Sequence, residues 1–312
     1  MKPSRLFLLS LGLFSCFATT ATAYENFNYT GIAWVDGVDE NSGWYDANKI
    51  DNNDGDADDN MCYAASAANL ITWWQNHEQS QHLTSSAPKQ LNSIWDTFVQ
   101  NNQIWDDGGE TLSAVNWWIS GVYAPTTEDD YGRYYVPKEY LPEDYLPLTL
   151  PRTNGYYYDQ CGLTQDNLAN FLSDEWVYGE DDSASEIDFY DMFDSGMAVA
   201  LTINSELDED FAHAITLWGA EYTDGKLEKL WLTDSDDYAD DPGLFSADVT
   251  LSEDGSKIYF DDEELYGSQV YISGVYSLDP NESASWQMVP EPATATLSLL
   301  ALCGLATRRR RK

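Results

Sequence analysis

Asn60-Met61-Cys62-Tyr63-Ala64-Ala65-Ser66-Ala67-Ala68-Asn69-Leu70-Ile71-Thr72-Trp73-Trp74 reads as an alanine-rich helix that opens on a cysteine. Alanine is the strongest helix former, and the run predicts a helix over residues 62–77. A thiol in the first turn lies in the positive end of the helix macrodipole, which favours thiolate over thiol and raises the reactive fraction near neutral pH. Cys62 is therefore a candidate nucleophile.

Outward from this helix the first half stays helical. Residues 90–101 and 110–120 are predicted helices, the second because Leu112, Val115, Trp118 and Ile119 recur at helical spacing. Residues 123–158 are rich in tyrosine and proline and read as irregular with short strands. A further helix is predicted over 164–174, capped by Thr164 with Asn167 at its third position. The second half changes period: residues 197–203, 212–222, 227–233, 247–251, 256–260 and 270–278 read as strands, with turns at Thr223-Asp224-Gly225 and Glu253-Asp254-Gly255. The fold class is thus α+β, a helical part carrying Cys62 packed on an antiparallel sheet with a cleft between them. No internal repeat divides the chain.

A nucleophilic thiol needs an imidazole partner, a group to hold that imidazole, and donors for the developing oxyanion. The chain has three histidines. His77 lies fifteen residues past Cys62, about 22 Å along the helix axis, out of reach of the thiol. His82 sits in a polar segment and reads as solvated. His213 opens a predicted strand among small residues, and Thr233-Asp234-Ser235-Asp236 closes the next strand of the same hairpin. That hairpin places Asp234 beside His213. The bland alternatives are a satisfied core histidine and a disulfide between Cys62 and Cys161. The order Cys, His, Asp is that of papain-like cysteine peptidases.

Four blocks carry a more specific likeness: Gly43-Trp44-Tyr45-Asp46-Ala47-Asn48-Lys49, the Cys62 helix with Asn69 and Trp73-Trp74, His213-Ala214-Ile215-Thr216-Leu217-Trp218-Gly219-Ala220, and Thr233-Asp234-Ser235-Asp236. In this order they resemble the Mac/IdeS-type immunoglobulin-degrading cysteine peptidases, and the resemblance extends to Gly267-Ser268-Gln269-Val270. It implies a papain-like fold with Cys62 as nucleophile, His213 as general base and acid, Asp234 orienting the imidazole and Asp236 as a supporting carboxylate. Lys49 matches the lysine that forms the oxyanion hole with the nucleophile's backbone N–H. The sequence departs from the family pattern between Lys49 and Cys62, where residues 50–61 are longer and densely acidic. Residues 51–59 invite a calcium reading but miss the EF-hand pattern, since Gly55 falls at the fifth position and Cys62 stands where a bidentate glutamate belongs. They read as a solvated acidic loop, with a non-EF calcium site as the alternative; there is no zinc-ligand spacing and no phosphate-cradling glycine motif, and the chemistry is expected to need no metal or cofactor.

The two ends read as addresses. Residues 1–23 carry Lys2 and Arg5, an apolar run and the small-x-small stretch Ala21-Thr22-Ala23, the pattern of a secretory signal peptide; a lipoprotein signal at Cys16 is disfavoured by the bulky Phe14. Residues 287–312 hold Pro290-Glu291-Pro292, a short apolar segment and Arg308-Arg309-Arg310-Arg311-Lys312. That tripartite tail resembles the PEP-CTERM sorting signal, implying an exosortase-type processing enzyme, a transient inner-membrane anchor and delivery to the envelope of a Gram-negative-type bacterium. A plain tail anchor is the alternative, although the apolar run is short of the roughly 20 residues of a spanning helix. Residues 24–286 remain as the peptidase domain. Seven of the 15 basic residues and one of the 54 acids, Glu291, lie in the two ends, leaving eight against 53, a field that excludes a nucleic-acid partner. An aromatic content of 14% excludes general disorder. The expected partner is a protein substrate, cleaved through a thioester. Two rival readings are an inactive or adhesive envelope module and an acyltransferase or transglutaminase on the same fold.

Overall fold

The computed structural model describes residues 28–49, 60–100, 109–121, 155–161, 172–177, 187–208, 211–236, 243–261, 269–284 and 286. The alanine-rich run forms α1 (Cys62–Asn76), buried along almost its whole length from Tyr63 to Gln75. A helix buried all round needs partners on every face. Here α2 (Leu91–Val99) and α3 (Thr111–Ser120) flank it, and sheet strands cover it from the other direction. Alanines 64, 65, 67 and 68 are at most 1% exposed, and their small side chains let these neighbours approach closely. Shorter helices are α4 (Tyr158–Cys161), α5 (Phe189–Asp194) and α6 (Pro280–Ala284).

The strands are β1 (Gly31–Trp34), β2 (Leu172–Val177), β3 (Ala198–Ser205), β4 (Ala212–Thr223), β5 (Lys226–Thr233), β6 (Phe245–Leu251), β7 (Ile258–Phe260) and β8 (Val270–Leu278), all paired antiparallel. Their order is β1-β4-β3-β8-β7-β6-β5, and β5 pairs back onto β4, so six strands close into a ring. β1 and β2 extend it outward. The β4–β5 hairpin turns on Asp224 (φ 52°) and Gly225 (φ 78°), the consecutive left-handed residues that a two-residue hairpin loop requires.

The expected α+β division holds, with the limits of the matched strands and helices shifted by at most two residues. One correction concerns residues 164–174: Leu172, Ser173 and Asp174 belong to β2, because the chain there pairs with β8 from Leu172↔Leu278 onward. Residues 164–171 lie outside the described residues. So do the signal at 1–23, most of 123–158, the acidic loop 51–59, Gly267, Ser268 and the tail from 287. Strand β1 and helix α5 were not anticipated. Among the described residues, no helix is long and apolar enough to cross a membrane.

The hairpin geometry positions the site. β3 pairs with the start of β4 through Ile203↔His213, whereas β5 begins its pairing only at Thr216↔Thr233. His213 therefore extends past the end of β5, and the chain leaving β5 turns back over it. Lys49 joins the same end, since its N–H donates to the Ser235 carbonyl at 2.9 Å.

Candidate active site

Cys62 is the first residue of α1, preceded by Met61 as N-cap. No side chain caps this end and no acidic residue stands in the first turn, so the positive helix end is left to the thiol. Cys62 is half-buried and Cys161 fully buried, and no disulfide joins them, which removes the disulfide reading. His213 is 7% and Asp234 5% exposed. Ionisable groups this deep persist only when paired, and His213 Nε2 lies 2.6 Å from Asp234 Oδ1. The same oxygen accepts from the Asp236 N–H at 2.9 Å, which fixes the carboxylate. The second ring nitrogen, Nδ1, remains for the thiol.

The electrostatics follow from this arrangement. Burial alone would push the Cys62 thiol up, but the hydrogen bond and charge of His213, the Ala214 N–H and the Lys49 charge outweigh it, so its pKa falls below the ordinary 9.0. Burial alone would also lower His213, yet its hydrogen bonds to Asp234 and Cys62 and the charges of both raise it to about 10. A thiol pulled down beside an imidazole pulled up is a pair in which the thiolate and imidazolium forms are favoured relative to isolated groups.

The five residues singled out in the sequence meet here. Lys49 Nζ sits 2.5 Å from Asp236 Oδ1, and Asp236 Oδ2 lies 3.8 Å from His213 Nδ1. Asp236 therefore holds the lysine while facing the imidazole. The other two histidines are elsewhere: His77 ends α1 and pairs with Asp36 at 2.9 Å, and exposed His82 reaches the Trp286 carbonyl at 3.3 Å. His213, Asp234 and Asp236 could each offer a metal ligand atom, all within 4.8 Å of one another. A metal ion there would have to break the His213–Asp234 and Lys49–Asp236 contacts, so the donor set fits its present partners better than a cation.

Two features of the site escaped sequence reasoning. One is the Ala214 N–H donated to the thiol. The other is Asn69, 2% exposed, which accepts from the Ala47 N–H at 2.9 Å and donates to Thr216 Oγ1 at 3.0 Å. Its signal was its place in the Cys62 helix block, two turns after the cysteine.

Comparison with known proteins adds two findings. A family model described as Mac 1 matches residues 19–89 and 155–259. The first matched segment contains Lys49 and Cys62, the second His213, Asp234 and Asp236. The chain is also 23% identical over 240 residues to an IgM protease of Streptococcus suis (strain P1/7), an alignment covering 69% of this chain and 19% of that protein. The chain thus matches about a fifth of that relative's length.

Proposed function

Because this chain belongs to the Mac 1 family, we propose that it is a papain-like cysteine endopeptidase acting on a protein substrate. The observation that carries this reading is the aligned Cys62, His213 and Asp234, with a depressed thiol at a helix start and a 2.6 Å imidazole–carboxylate contact behind it. The Cys62 thiolate attacks the scissile carbonyl carbon. The carbonyl electron pair moves onto oxygen, where the Cys62 backbone N–H and Lys49 would receive the negative charge. As the tetrahedral centre collapses, the C–N bond breaks and the His213 imidazolium gives its proton to the leaving amine, leaving a thioester. Neutral His213 then takes a proton from water as the water attacks the thioester carbonyl, and the thiolate departs with the acid product. Asp234 orients the ring and stabilises the imidazolium without accepting its proton.

The IgM protease match supports peptide hydrolysis as the reaction; which protein this chain cleaves is set by its own cleft. Residues 1–23 would direct export. Residues 287–312 would hold the protein transiently in the inner membrane until an exosortase-type enzyme processes it near Pro290-Glu291-Pro292. Moving the five terminal cations through hydrocarbon would cost on the order of 2.5 kcal/mol or more each, which keeps them on the cytoplasmic side.

The test is hydrolysis of a denatured-protein panel by wild type, Cys62→Ala and Cys161→Ala, read by mass spectrometry of the products. Cleavage by the wild type and Cys161→Ala but not Cys62→Ala is expected; equal products from all three would refute the nucleophile. Products carrying an added amine such as hydroxylamine, in place of free carboxyl ends, would redirect the reading to acyl transfer. Intact termini on the mature surface protein would rule out processing of the tail.

A further inference from the structure

Seven residues separate Asn69 from Cys62, two turns of helix, so both side chains project from the same face of α1 about 10 Å apart along its axis. Around Asn69 the core is otherwise apolar, and a buried amide is costly unless its donors and acceptor are used. They are used on three separate segments. Asn69 Oδ1 accepts from Ala47, two residues before Lys49. Asn69 Nδ2 donates to Thr216 Oγ1 on β4, three residues after His213, and reaches Thr233 Oγ1 at 3.5 Å. Thr233 stands directly before Asp234. Its hydroxyl donates to the Tyr45 carbonyl at 2.9 Å and accepts from Trp218 Nε1 at 2.9 Å, so the network has a single consistent donor direction.

Resting on the peptidase reading above, we infer that Asn69 is a positioning residue that sets the register of the Cys62 helix against the three segments carrying Lys49, His213 and Asp234. Apolar surfaces pack well in several neighbouring registers, whereas a fully satisfied buried polar network accepts one. The alanines 64, 65, 67 and 68 of α1 are buried among its neighbours, and such small residues resist sliding weakly. The amide supplies the missing directionality. Thr216, Thr233 and Trp218 are members of the same tie: Thr216 and Thr233 are at most 1% exposed and Trp218 is fully buried. None of them reaches the reacting atoms, so their effect must pass through the thiol–imidazole geometry.

The experiment measures two quantities on Asn69→Ala, Thr233→Val and Thr233→Ser. One is kcat and KM on a cleaved protein substrate. The other is the pH dependence of Cys62 alkylation by iodoacetamide, quantified on the Cys62 peptide, which reads the thiolate without any substrate. Asn69→Ala and Thr233→Val should lose kcat on the order of a hundredfold, as misplacement by about 1 Å does, with KM within about twofold. Their alkylation limb should move up toward the ordinary thiol value. Thr233→Ser keeps the hydroxyl and should rescue most of both effects. Folded Asn69→Ala and Thr233→Val proteins with wild-type kcat and an unmoved limb overturn the inference, as does loss of melting temperature alone. Should Asn69→Ala fail to fold, the milder Thr233→Val decides by the same two readings. A wild type without peptidase activity would sink the peptidase reading, and the alkylation limb would still decide the role of Asn69.

Discussion

Asp234 does two things to His213 at once: it aims the ring, and against the pull of burial its hydrogen bond and charge, together with those of Cys62, raise the pKa of that ring to about 10. Asp234→Asn separates them, because the amide can still accept a hydrogen bond but carries no charge. The activity profile should rise through an acid limb set by Cys62, below 9.0, and fall through an alkaline limb where His213 loses its proton. Without the carboxylate the imidazolium is less stable, so the alkaline limb should move to lower pH and kcat should fall, though less than in Cys62→Ala; a limb that stays in place would deny the carboxylate its electrostatic role. Lys49 offers a second residue-level test. If it receives oxyanion charge, Lys49→Ala should lower kcat on the order of a hundredfold with KM unchanged, since a donor acting only in the transition state does not affect ground-state binding. A rise in KM alone would make it a substrate contact. At this scale the meeting of the residues was legible in the sequence: thiol at a helix start, histidine at the start of a strand, carboxylate at the end of the hairpin. What was hidden were contacts between residues far apart in the chain. The Lys49–Asp236 ion pair and the bonds from Asn69 to Thr216 and Thr233, 147 and 164 residues away, leave no local pattern.

At the scale of elements, α1 matters for its end and β4 for its close approach to β1. With no acid in its first turn, α1 keeps its positive end for the thiolate. Asn60→Asp would place a competing negative charge just before the helix. It should raise the Cys62 pKa and shift the acid limb of iodoacetamide alkylation upward by roughly 0.2–0.7 of a pH unit, the equivalent of about 0.3–1 kcal/mol; an unchanged limb would mean that the helix end contributes nothing. On β4, Gly219 lies opposite Trp34 of β1, and an added Cβ would stand 2.6 Å from Trp34 Cε3. Gly219→Ala should therefore push the indole off the sheet and cost about 1–3 kcal/mol by overpacking, visible as a lower denaturation midpoint. Gly219 is six residues along β4 from His213, roughly 20 Å away, so kcat at low temperature should hold. Elements with strong local periodicity, α1, α3, β3, β4, β5 and β8, were readable. β1 has four residues and α5 six, too few for a periodic signal. The start of β2 was taken for helix because its strand character comes from pairing with β8 about a hundred residues on, which no local window contains.

Over the whole molecule, the last described residues close the core against the helix that bears the thiol. Trp286 is 4% exposed, and its ring packs edge-on against Trp74 of α1 with centroids 5.8 Å apart. Trp74 Nε1 donates to Ser283 Oγ at 3.2 Å, and the Trp286 N–H to the Ser283 carbonyl at 3.1 Å. The described residues therefore end in a buried indole, and the apolar and basic stretch beyond it is the one proposed above as a sorting address. A chain ending at Trp286 should be soluble and folded, with the kcat and KM of the full-length protein. A chain ending at Asp279 removes α6 and the indole, opening Trp74, which is fully buried, to solvent. By the cost of deleting a large buried aromatic it should lose about 3–5 kcal/mol of stability. The eight basic residues against 53 acids within residues 24–286 sharpen the contrast, because self-repulsion already weakens the compact state and is screened by salt. The shorter chain should consequently recover part of its melting temperature between low salt and about 0.3 M sodium chloride, since the screening length is down to about 10 Å by about 0.1 M and shorter beyond it. Equal midpoints for the two chains at every salt concentration would show that residues 280–286 only lie against the domain, and the body would then end at β8.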